Sequence, residues 1–171
     1  MTQTFAAILM LYGPFAWCYL RKEPYESYGL FLRWNREITL KLLFYCAATL
    51  IPLTVVAMHW PGEDLPRKVT LMQFFTYATA GLTAAIIEEV FFRGFLQTLL
   101  RRRFTPLPGI VLSAAIFAAS HMLFRTSPIF LATFFPGLFM AQLREEFHSI
   151  APAIAYHFMG NLWAIWFFPG V

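Results

Sequence analysis

Six long apolar stretches separated by short polar ones make up most of the chain, at residues 4–20, 42–60, 70–100, 107–124, 128–143 and 150–168. A helix needs about 20 apolar residues to cross the hydrocarbon of a bilayer, so most of these read as spanning helices with modest tilt. The third is too long for one plain span and carries Glu88, Glu89 and Arg93 in its interior. A long tilted helix and a helix broken near Gly81 both fit it. The fifth is short and contains Pro136 and Gly137, which predicts a kink or a partial crossing. No internal repeat, low-complexity tract or long loop interrupts the pattern. The expected fold is all-α: a polytopic transmembrane helix bundle of about six spanning segments, with residues 1–171 as a single membrane domain. The first apolar stretch lacks a basic leader and a small-residue cleavage site, and so reads as a retained helix.

Composition agrees with this pattern. Of 171 residues, 59% are hydrophobic and 13% charged, against about a quarter charged in soluble domains. The net charge of +4 is small and spread over several loops, with no basic cluster suited to a phosphate backbone, so nucleic acid is not an expected partner. The loops near 21–41, 101–106 and 144–149 hold nine Lys and Arg residues, whereas those near 61–69 and 125–127 hold Arg67, Lys68 and Arg125. The positive-inside rule then puts the first set in the cytoplasm and both termini outside it. Cys18 and Cys46 fall in apolar stretches without metal-ligand spacing and read as small buried hydrophobes.

Charges inside spanning segments carry the chemical information, because each costs about 2.5–3.5 kcal/mol at the helix centre. Glu89 and Arg93 are four residues apart, a spacing that pairs them on one helix face. Glu88 points about 100° away from Glu89 and is left for another use. Later segments add His121, one turn after Phe117, and His157 with Asn161 four residues beyond it. Each feature is weak by itself, since a histidine near a span end is more often a packing residue. Together they make a set suited to hydrolysis. A carboxylate in a poorly solvated site is a better base than one in water. Glu88 is placed to deprotonate a water also held by His121, while His157 and the Asn161 amide donate to the developing oxyanion.

In this order, Glu88-Glu89-x-x-x-Arg93, Phe117-x-x-x-His121 and His157-x-x-x-Asn161 resemble the three motifs of the CAAX-protease and bacteriocin-processing (CPBP) family. The resemblance covers roughly residues 80–165, within a motif-bearing core of about 70–168. It implies an intramembrane, glutamate-dependent endopeptidase, with catalytic Glu88, His121, His157 and Asn161 and supporting Glu89, Arg93 and Phe117. It further implies membrane lipid and a membrane-anchored protein or peptide as partners, and a cut near the substrate's C-terminus. A small bacterial, myxosortase-like member of the inner membrane is the expected subgroup. No cofactor is expected; the alternative is a zinc ion held by Glu88, His121 and His157. The competing reading is a non-catalytic scaffold, immunity factor or transporter component that keeps the polar cluster for helix packing. His59 and His148 read as interfacial.

Overall fold

The computed structural model describes residues 2–123 and 127–168, and no strand occurs among them. Arg125, counted above with the outer loops, lies outside the described residues. The helices are α1 (Thr2–Arg21), α2 (Arg36–Met58), α3 (Leu71–Glu89), α4 (Gln97–Arg101), α5 (Pro106–His121), α6 (Phe134–Phe147) and α7 (Ala151–Phe167). A π-helical stretch, Val90–Leu96, joins α3 to α4, so one continuous rod runs from Leu71 to Arg101. The rod is unbroken at Gly81, and its irregular part lies just after the two glutamates. A π turn accommodates an extra residue without a break, so the rod passes the two glutamates uninterrupted.

Local sequence explains the boundaries. Asn35 caps α2 by accepting from the Ile38 amide at 2.8 Å, so the helix starts six residues before the apolar run, on Arg36 and Glu37. Thr70 and Gln73 form a capping box at the start of α3. Pro106 opens α5 at a position where its missing N–H costs nothing. The fifth apolar stretch divides into a 3₁₀ turn, Pro128–Thr133, and α6, with Pro136 in the first turn of α6 where proline is tolerated.

Among the described residues three rods are long and apolar enough to cross a membrane: Gln3–Arg21, Arg36–Met58 and Leu71–Arg101. Pro106–His121 is apolar but shorter, while α6 and α7 have 14 and 17 residues. The bundle centres on α5, α6 and α7, with α3 and α2 laid against α7. Phe92, Phe117, Met140, Leu143, Ala153 and Tyr156 form the core. Cys18 is buried outside this cluster as a free thiol, and Cys46, also free, is half-buried against it.

Candidate active site

The deepest polar group is an ion pair. Glu89 and Arg93, both with 0% of the side chain exposed, approach to 3.3 Å between Oε2 and Nε. Arg93 also donates from Nη2 to the Gly137 carbonyl at 3.2 Å, and its guanidinium lies 4.2 Å from the centre of the Phe117 ring. Burying a lone guanidinium would cost several kcal/mol, and the carboxylate, the carbonyl and the ring face offset this together. The pairing expected from the four-residue spacing is present.

His157 on α7 joins this pair to Glu88. Its Nδ1 lies 2.9 Å from Glu89 Oε1, and its Nε2 lies 3.9 Å from Glu88 Oε2. A carboxylate accepts, so Nδ1 carries the hydrogen toward Glu89, and Nε2 is the ring atom turned to Glu88. Glu88 Oε2 is buried and makes no hydrogen bond to any of the described residues. Glu89, paired with Arg93, therefore also orients His157, a second role that the spacing along α3 did not disclose.

His121 at the end of α5 sits with Nδ1 3.0 Å from the Phe117 carbonyl, which can only accept; Nε2 of the neutral ring is then left as an acceptor. Its ring centroid is 4.8 Å from that of Phe117, and the His157 ring is 5.8 Å from the same phenyl on another side. Phe117 is thus the spacer holding both imidazoles. His121 makes no direct polar contact with Glu88; the two are linked through Phe117 and His157.

Asn161 lies one turn beyond His157 and donates from Nδ2 to the Gly81 carbonyl of α3 at 2.9 Å. Gly81 is needed here for its size, since a Cβ at that position would sit 3.0 Å from Asn161 Cβ. Along the sequence, Gly81 marks only a possible break in the long third stretch. Its distance of seven residues from Glu88, two helical turns on the same face, was the available signal.

His121, His157, Asn161, Phe117 and Gly81 share the wall of a cavity of about 970 Å³, whose remaining lining is mainly apolar. Glu88 is outside that wall and meets the cavity through His157. For the zinc alternative, the His157 Nδ1–H held by Glu89 leaves Nε2 free, as in metal-binding histidines, but Glu88, His121 and His157 are not gathered around one point: no three His, Cys, Asp or Glu side chains among the described residues are grouped to hold a metal ion. The histidines read as interfacial stand apart: His59 Nδ1 is 2.8 Å from the Val55 carbonyl, and His148 ends α6 in a left-handed conformation.

Residues 70–163, from the cap of α3 to two residues past Asn161, match the model of a family described as Type II CAAX prenyl endopeptidase Rce1-like. No curated protein and no solved structure matches the chain.

Proposed function

The chain belongs to the Rce1-like family of type II CAAX prenyl endopeptidases, and we propose that within it this protein cleaves a membrane-associated protein or peptide near its C-terminus by Glu88-dependent attack of water. The observation that supports this most is the His157 ring held between the two carboxylates of α3, 2.9 Å from Glu89 and 3.9 Å from Glu88.

In this reading the water is held by His121 Nε2 and Glu88. Glu88 takes its proton as the oxygen bonds to the carbonyl carbon, and later passes it to the amine as the C–N bond breaks. His157, in its imidazolium form, and the second amide hydrogen of Asn161 donate to the oxyanion. Glu89, itself paired with Arg93, accepts from Nδ1 and so fixes the ring with Nε2–H turned toward the oxyanion. A positioned base contributes about 10²–10⁴-fold and an oxyanion donor about 10²–10³-fold. Glu88 and His121 come together for this as the substrate enters, since hydrogen bonds of an empty site are commonly long.

The test is cleavage of membrane-anchored peptides with varied C-terminal tails by the purified protein in vesicles. Glu88→Gln and His121→Ala should each lower kcat by at least 100-fold while the protein still inserts and folds. Verified removal of metal with a strong chelator should leave the rate unchanged. Wild-type protein that cuts no such tail, or cuts only with zinc restored, would overturn the reading.

A further inference from the structure

The cavity is walled by α7, α3 and the segment leading into α3, and it borders a seam between α2 and α6. These helices run antiparallel and meet at one end only, through the Lys41–Glu146 ion pair and the Tyr45 and Phe139 rings, 5.1 Å apart. Continued pairing would bring Leu53 and Val56 level with the 3₁₀ turn Pro128–Thr133. Instead, Leu53 and Val56 on one side and Ala132 and Phe135 on the other border the cavity. Past Tyr45, α2 is tied to α7, through Tyr156 to Thr49 at 3.0 Å and Trp163 to Thr54 at 2.8 Å. Leu53, Val56 and Phe135 are 43%, 54% and 64% exposed. The seam is closed at the Lys41 end and open at the other.

We propose that this opening is a lateral entrance through which an extended, apolar segment of a membrane-embedded peptide reaches His121, His157 and Asn161. The proposal rests on the proteolytic reading of that site and adds the route to it. Three features select this occupant. The seam belongs to α2, one of the three rods able to cross a bilayer, so its open side faces acyl chains. The volume of about 970 Å³ is at the upper end for small-molecule sites and suits several residues rather than one side chain. The floor is polar, with two imidazoles and a carboxamide. A lipid tail has no use for such groups, whereas an unwound peptide must satisfy its amides in the absence of water.

The probe is a Leu/Ala transmembrane peptide of about 20 residues with a photoreactive diazirine residue near its C-terminus. It is reconstituted in phosphatidylcholine–phosphatidylglycerol vesicles with the Glu88→Gln protein and, separately, the wild type. After irradiation, mass spectrometry should find labels on Leu53, Val56, Ala132 and Phe135 enriched at least fivefold over Leu9 of α1, which faces outward away from the cavity. Equal labelling of both surfaces, enrichment at a different seam, or labelling there by a diazirine lipid but not by the peptide would overturn the entrance. Because Glu88→Gln removes the proposed base, seam labelling does not depend on turnover. Labelled seam residues in a wild type that cleaves nothing would keep the entrance and sink the proteolytic reading.

Discussion

At the scale of single residues, the two neighbouring glutamates differ in surroundings and should differ in consequence. Glu89 is fully buried and neutralises Arg93, whereas the side chain of Glu88 is 26% exposed and, among the described residues, lacks a hydrogen-bond partner at Oε2. Removing one member of a buried pair costs about 3–5 kcal/mol. Glu89→Ala should therefore lower stability by about that much, while Glu88→Ala should stay within about 1 kcal/mol; unfolding in detergent measures both. Gly81→Ala probes the remaining donor. An added Cβ 3.0 Å from Asn161 Cβ displaces the amide by a few tenths of an ångström. Since a misplacement of about 1 Å costs about 100-fold, kcat should fall about fourfold with little change in KM. In an Asn161→Ala background the same change should have no further effect, a non-additivity that loosened packing would not produce.

At the scale of elements, the motif pairs were readable because helical periodicity turns spacing into facing: Glu89 with Arg93, and His157 with Asn161, share faces of single helices. The π-helical stretch was not readable, because no residue type marks it, and it becomes favourable only where tertiary contacts such as Gln97 to the Ala141 carbonyl at 2.9 Å hold the following turn. Another tie joins the loop after α1 to the end of α4. Glu23 accepts from Arg102 at 2.5 Å and from the Tyr28 hydroxyl at 2.6 Å, and Arg102 foremost lowers its carboxyl from 4.5 to about 2. A depressed folded-state value stabilises fully above the ordinary value and is lost as pH falls through the lower one. Acidification from pH 4.5 to 2 should loosen this tie, seen as faster hydrogen exchange around Tyr25–Tyr28, and Glu23→Gln should abolish that pH dependence while loosening the loop at neutral pH.

At the scale of the whole molecule, the large cavity sits where α2 leaves α6, so its position follows from how helices diverge rather than from any motif. Orientation is a property of the same scale. With Arg101, Arg102 and Arg103 on one side and the 61–69 loop on the other, the positive-inside rule predicts that Arg103→Cys is labelled by an impermeant thiol reagent only from the cytoplasmic side, and Gly62→Cys only from outside. The reverse pattern would invert the topology.

The sequence by itself determined the helical class, the three motifs and the Glu89–Arg93 pair, because apolar run length and helical spacing are local quantities set by the hydrocarbon thickness and the 3.6-residue turn. Only the tertiary structure decided that Glu89 also binds His157, that Phe117 separates two imidazoles, that Asn161 leans on Gly81, and that Glu88 stands outside the cavity wall. Those facts depend on the rotation and separation of α3, α5 and α7, which side-chain packing between distant segments fixes and no spacing along one segment encodes.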